Sequence, residues 1–389
     1  VPTLSRQTAT IALATWFLVT LLLDRFSGWH VSSAYPLIAG SALAFLTWRD
    51  HPREAGRFFL LLIILIVWML YRDVSTGGDW RAGERTLKAS LLVLGLIACS
   101  QLDFQIWCKS LRCATAIGIA CVIAYLGLEQ IKTGLSSPLT MAVNGFVSEM
   151  NRNALAVPLG LLACWILLAV RPVWPMWVWG PLTIFLVILM IANGSRNAML
   201  SMVVATLLGL FLLSPRKVAV FGGAVAAGAL LLFWMKPSFW LHGDSVLNTR
   251  DIVWEAVLRH FGAHAWTGTG SAYFLRVIAP ELPEKFAFAH NVYLDFLLAY
   301  GIIGVLLLVA AGLALRSLLA GKQNDARRVL LYASGCYLML FGVFDREHLD
   351  PLMLVGMLMI PGIAIAAVAA VRRNQATISI PSPNGRAIS

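Results

Sequence analysis

Apolar residues along this chain come in long runs separated by short polar turns, without the strand-like alternation of a half-buried sheet. Several runs approach the ~20 residues that a helix needs to cross a bilayer. A helix satisfies its own backbone in lipid, so helices are the spanning structure to expect. Twelve spans are predicted, at about 9–23, 33–47, 57–71, 87–101, 113–129, 153–170, 173–192, 197–213, 217–235, 291–315, 329–344 and 351–371. One long polar interruption, beginning at Lys236, breaks the series. The chain thus divides into nine spans over 1–235, a polar loop over 236–290, three spans over 291–371 and a polar tail over 372–389. The fold class is an all-α polytopic integral membrane protein with one large loop containing short helices.

Composition strengthens this picture. Hydrophobic residues make up 59% of the chain and charged residues 13%, with mean hydropathy +0.79. A soluble domain carries roughly 25% charge. The net charge of +11 raises the question of nucleic acid, but its distribution argues against it. An even number of spans puts both termini on one side. With that side cytoplasmic, it holds 16 of the 30 Lys and Arg and 4 of the 19 acids, so the basic excess lies inside. None of the six cysteines falls in the large loop, so no disulfide framework is implied. The first apolar run is followed by Leu23-Asp24-Arg25-Phe26, without a small-residue cleavage site, and reads as an anchor.

The polar positions carry the candidate chemistry. Arg72, Asp73, Asp79, Arg81, Glu84, Arg85 and Lys88 crowd an outer turn, read first as a solvated loop of mutual ion pairs and second as a basic rim for anionic head groups. Asn151 can cap the sixth span, which puts Arg152 where the helix dipole disfavours a cation; its partner is Glu149 or a ligand. Arg196 follows Asn193-Gly194-Ser195 with no acid within ten residues, and is a snorkelling anchor or an anion ligand. In the loop, Asp251, Ile252, Trp254, Val257, Leu258 and Phe261 have amphipathic spacing, with Asn248 or Thr249 as cap. Arg250 opens that helix, where free N–H groups favour anions, and Arg259 falls on the opposed side. Gly268 and Gly270 end it, a second short helix is predicted over 271–278, and Pro280 and Pro283 end that one.

His290 stands just before the tenth span between apolar neighbours, as a structural histidine or a general base. Gly301 and Gly304 would let helices approach closely. The turn Asp345-Arg346-Glu347-His348-Leu349-Asp350 would pair with loop arginines or orient His290.

No outer DxD would hold a divalent metal, and His260 and His264 flank Gly262 without a third ligand, so neither metal nor cofactor is expected. No phosphate-binding or dinucleotide glycine motif is present. The ionisable groups sit at the outer surface, which is wrong for an ion relay at mid-depth. Arginine forks suit a pyrophosphate and histidine suits a general base. Together they fit glycosyl transfer from a lipid-linked diphospho-sugar.

His290-Asn291, nine residues, Gly301, two residues and Gly304 form a pattern that resembles that of bacterial O-antigen ligases. Gly194-Ser195-Arg196 and the Arg250-to-Trp254 segment followed by Gly268-Thr269-Gly270 resemble the wider family, which includes O-antigen polymerases and protein O-oligosaccharyltransferases. The motif resemblance covers roughly 151–304. It implies a C-type glycosyltransferase-like fold in the inner membrane of a Gram-negative bacterium, both termini cytoplasmic and the loop periplasmic. The implied reaction is metal-independent, inverting transfer of O-antigen polysaccharide from undecaprenyl pyrophosphate to a sugar hydroxyl of lipid A–core in lipopolysaccharide biosynthesis. By resemblance His290 would be the catalytic base, and Arg196 and Arg250 would bind the pyrophosphate. Position adds Arg152, Arg259 and Asn291 as substrate-binding residues. The short tail after the last span speaks against a protein O-oligosaccharyltransferase, and the single dominant loop against a polymerase. Ligase is the preferred reading. A polymerase is the runner-up, and a non-catalytic polysaccharide transporter the alternative from another class.

Overall fold

Every regular element among the described residues is helical. The computed structural model describes residues 6–23, 38–40, 42–43, 52–77, 91–92, 95, 98–99, 102–133, 152–170, 175–192, 196–213, 250–283, 286, 289–318, 326–344 and 351–378. In chain order the main helices are α1 (Arg6–Leu23), α2 (Pro52–Ser75), α3 (Phe104–Thr133), α4 (Arg152–Trp165), α5 (Met176–Ala192), α6 (Arg196–Leu213), α7 (Arg250–Phe261), α8 (Val292–Leu318), α9 (Ala326–Phe344) and α10 (Pro351–Ile378). α4 runs on as a π-helical turn to Val170.

Nine of these coincide with predicted spans; α7 is the predicted loop helix. The predicted spans at 33–47 and 87–101 are described at a few positions only, and 217–235 lies outside the described residues. Four helical stretches are long and apolar enough to cross a membrane, namely Gly56–Ser75, Phe104–Ala124, Val292–Ser317 and Val355–Arg372. Shorter apolar stretches occupy α1, α4, α5, α6 and α9. Two boundaries differ from the sequence expectation. α3 begins at Phe104, well before residue 113, and α10 continues through Arg372 and Arg373 to Ile378, where a polar tail was expected. Backbone hydrogen bonding carries a helix past its apolar stretch, so hydropathy alone ends it too early.

α2 shows why these sequences fold as they do. Pro52 stands at its first position, where a missing N–H costs nothing. Leu60, Ile63, Val67, Tyr71 and Val74 follow helical spacing and are each more than half exposed, while Phe58, Leu62, Leu65 and Met69 are buried. A helix whose middle is apolar all round, with one apolar face outward, is suited to lipid rather than water. Its end is closed by Thr76, whose N–H and hydroxyl both donate to the Arg72 carbonyl, and by Gly77 at φ 70.

In the bundle, α8 packs between α2 and α10, and α9 packs on α4, α6 and α10. Buried polar contacts pin particular turns: Trp165 Nε1 donates to Ser334 Oγ at 3.1 Å, and Asn197 Nδ2 to the Phe341 carbonyl at 2.7 Å. A second, smaller apolar cluster lies outside the main core. It joins Val253 and Val257 of α7 to Phe274, Ile278, Ala289 and Leu298, and so seats the loop on the first turns of α8.

Candidate functional site

The site is built on a broken helix. Within α8, Gly301 has φ 66 and ψ −170, which interrupts the helical hydrogen bonds. The exposed backbone groups are taken up by the loop. Thr269 and Gly270 N–H donate to the Leu298 and Ala299 carbonyls at 2.8 Å each, while Ile302 N–H donates to Ala265 O at 2.9 Å and Ile303 N–H to Trp266 O at 3.2 Å. Trp68 Nε1 donates to Tyr300 O at 3.1 Å. Close helix approach was the expected role of Gly301; it is instead a break that lets the Gly268-Thr269-Gly270 loop hydrogen-bond along α8. A side chain there would meet the Trp266 carbonyl and the Gly268 nitrogen. Gly268 and Gly270 themselves have φ 75 and 80, so the expected helix stop is a left-handed turn.

Two residues of α2 hold this loop from the other side. Arg72 Nη2 donates to the Gly268 carbonyl, and Asp73 is fully buried, accepting the Ser271 N–H at 2.8 Å and the Tyr300 hydroxyl at 3.4 Å. The expectation of a solvated loop fails for Asp73, which is fully buried, and the bonds of both residues reach partners 196 to 227 residues away. After the loop come a π-helical turn over Phe274–Ile278 and a 3₁₀ turn over Ala279–Glu281, so the short helix predicted over 271–278 exists as a wider, π-helical turn, and Pro280 falls inside the 3₁₀ turn that follows it.

His290 sits at the head of α8 in a left-handed conformation, φ 54. A non-glycine residue with positive φ is uncommon, though histidine is among the types enriched there. The corner is held from three directions. Asn291 Oδ1 accepts the Tyr293 and Leu294 N–H groups at 3.0 and 3.1 Å, capping α8. Buried Asp295 accepts the Ala289 N–H at 3.1 Å. From α7, Trp254 Nε1 donates to the Ala289 carbonyl at 3.0 Å. The Phe286 ring stands edge-on to the imidazole at 5.9 Å between centroids. Sequence reasoning missed Asp295 and read Asp73 as one of a set of loop charges. For Asp295 a signal existed, since an acid in the first turn of an apolar span is expensive unless it has work to do.

Three of the predicted arginines open helices, and the fourth is exposed on α7. Arg250 opens α7 four residues before Trp254, hence on the helix face that meets Ala289. Arg196 opens α6 and Arg152 opens α4; their side chains lie outside the described residues. The start of α6 is nevertheless located, because Asn197 donates to Phe341 O. Tyr293, three residues after His290, donates through its hydroxyl to Met339 O at 2.7 Å. One turn of α9 therefore ties the heads of α6 and α8 together. Arg259 is different: it is exposed and pairs with Glu255 at 3.3 Å on its own helix. Such a pair contributes less than about 1 kcal/mol.

His260 hydrogen-bonds the Tyr273 hydroxyl and Glu281, each at 3.1 Å. No group of three or more metal-ligating side chains occurs among the described residues. The Asp345–Asp350 turn, Asn151 and the Gly194-Ser195 pair lie outside them.

Removing the indole N–H with Trp254→Phe tests how far α7 controls the corner. A hydrogen bond of this kind is worth about 1 kcal/mol. We expect a small drop in melting temperature and a several-fold loss of activity; unchanged activity would mean the corner holds without α7.

The broken and capped helices define a multi-pass helical membrane protein with a polar corner at the head of one span. Residues 181–309 match a family model described as O-antigen ligase. An O-antigen ligase of Pseudomonas aeruginosa is 36% identical over 123 residues, which is 31% of this chain and 30% of that protein. Both findings are a likeness to O-antigen ligases over about a third of the chain. The family match runs from α5 into α8 and takes in Arg196, α7, the glycine loop and His290; Arg72, Asp73 and Arg152 fall before it.

Proposed function

We propose that this protein is an O-antigen ligase, an inverting, metal-independent glycosyltransferase of the Gram-negative inner membrane with its site on the periplasmic face. The donor is polysaccharide on undecaprenyl pyrophosphate and the acceptor a hydroxyl of lipid A–core. The observation that carries the reading is the joining of the heads of α6 and α8 through one turn of α9, with α7 bonded to the same corner. In this reading Arg196 and Arg250, which open α6 and α7, serve the same corner as His290.

In this reading His290 takes the proton from the acceptor hydroxyl. Its Nδ1 is buried, and in this reading Nε2 takes the proton. The acceptor oxygen attacks the anomeric carbon opposite the pyrophosphate, the bond from carbon to pyrophosphate oxygen breaks, and undecaprenyl pyrophosphate leaves with the electron pair. Arg196 and Arg250, each at a helix N-terminus, stabilise the charge that develops on it. The proton on His290 passes to solvent. Arg152, at the head of α4, is a further ligand of the donor. Arg259 contributes least because Glu255 already holds it. Asn291 acts by fixing the corner, its Oδ1 being given to α8.

A strain lacking this protein tests the function. Its lipopolysaccharide should run as bare lipid A–core while lipid-linked polysaccharide accumulates, and a plasmid copy should restore the ladder. Core carrying single repeats would instead identify a polymerase. With purified protein, Arg196→Ala and Arg250→Ala should each weaken donor use, and the double variant should be no worse than the poorer single if both serve one pyrophosphate. Additive losses would separate them. Excess EDTA should leave the rate unchanged; a loss restored by a divalent ion would overturn the metal-independent mechanism.

A further inference from the structure

A cleft of about 260 Å³ lies away from the His290 corner, between the end of α2 and the loop that follows α7. Arg72, Thr76, His264, Thr269, Tyr273 and Arg276 line it. Two guanidinium groups thus share one small cleft, and no carboxylate is among its lining residues. Of the described acids nearby, Asp73 bonds Ser271 and Tyr300, and Glu281 bonds His260. Each arginine is oriented by backbone carbonyls, Arg72 by Gly268 and Arg276 by Gly77 at 2.6 Å. A carbonyl fixes a guanidinium without neutralising it. Arg72 Nε is buried and has no hydrogen-bond partner among the described residues.

Two oriented forks without a carboxylate partner among the described residues match the oxygens of a phosphate. Like charges sharing a small, partly desolvated space repel, and an anion bound between them removes that cost. The volume is below the ~300 Å³ at which sites for drug-sized molecules begin, so it suits a head group rather than a glycan chain. Depth agrees. The lipid-facing stripe of α2 ends at Val74, beside Arg72 and Thr76, at the level where anionic head groups lie. The loop wall of the cleft is bonded to α8 at Ala299, nine residues beyond His290. At 1.5 Å per residue that separates the two places by roughly 13 Å along the helix.

We propose that this cleft binds a phosphate ester carried by a membrane lipid, at a site distinct from the pyrophosphate site at His290. The phosphate belongs to the acceptor glycolipid, which would be anchored here while its sugar hydroxyl reaches the base, or to a phospholipid of the bilayer. The acceptor assignment rests on the proposed ligase function; phosphate binding does not.

The test is a binding measurement that needs no transfer activity. Full-length protein in detergent is titrated with bisphosphorylated lipid A, with the same lipid A after enzymatic removal of its phosphates, and with phosphatidylglycerol, and bound lipid is counted by native mass spectrometry. Bisphosphorylated lipid A should bind at least tenfold more tightly than the dephosphorylated form. Arg276→Gln should abolish that preference, Arg276→Lys should retain part of it, and His290→Asn should leave it intact. Phosphatidylglycerol competing as well as lipid A would keep the phosphate site and assign it to bilayer lipid, against the acceptor. Equal binding of phosphorylated and dephosphorylated lipid by the unaltered protein would overturn the proposal without reference to any variant. So would a preference that survives Arg276→Gln.

Discussion

His290→Asn should abolish glycan transfer while leaving the protein folded in the membrane. Asparagine is chosen because it tolerates the left-handed conformation that His290 adopts at φ 54, so the corner keeps its shape while losing its base. His290→Ala removes the base as well but adds backbone strain on the order of 1 kcal/mol. A positioned general base is worth about 10²- to 10⁴-fold in rate, so both variants should fall by at least a hundredfold. Asn291 and Asp295 hold the corner through backbone groups, which neither substitution removes. Near-normal product from His290→Asn at normal protein level would take His290 out of the mechanism.

Gly301→Ala should damage the protein more broadly. The conformation at φ 66, ψ −170 belongs to a region that is essentially open to glycine alone, and a residue held there costs about 1–3 kcal/mol. The added methyl would also meet the Trp266 carbonyl and the Gly268 nitrogen, both backbone atoms. Relieving that contact means pulling the loop off α8 and giving up the bonds of Thr269, Gly270, Ile302 and Ile303. Arg72 and Asp73 are bonded to the same loop and would lose its Gly268 carbonyl and Ser271 N–H, leaving a fully buried carboxylate with one donor fewer. We expect a total of about 3 kcal/mol or more, seen as low yield or a melting temperature lower by many degrees. Gly262→Ala is the control, because a methyl there meets nothing within 4 Å. It should behave as wild type. A fully stable and active Gly301→Ala would show that the break in α8 is dispensable.

How much of this was legible in the sequence differs from residue to residue. Many of the helices were readable because they follow apolar run length, and α2, α6, α8 and α9 begin and end within about five residues of the apolar runs. The loop helix was readable too, from the spacing of Trp254, Val257 and Phe261. The position of His290 at the head of a span followed from the same hydropathy. Gly301 was misjudged because glycine serves close packing and positive φ alike, and its conformation depends on a loop more than thirty residues earlier. Arg72 and Asp73 looked like surface charges because charge density is local information, whereas their partners at Gly268 and Ser271 come from the tertiary fold. Asn291 looked like a substrate ligand beside His290, yet its geometry is that of a helix cap.

The most direct measurement gives purified protein undecaprenyl-pyrophosphate-linked glycan together with lipid A–core and sizes the products by gel and mass spectrometry. The ligase reading predicts glycan covalently attached to lipid A–core, release of undecaprenyl pyrophosphate, and neither product with His290→Asn. Longer lipid-linked glycan with the core untouched would contradict it and assign the same base and pyrophosphate site to chain extension.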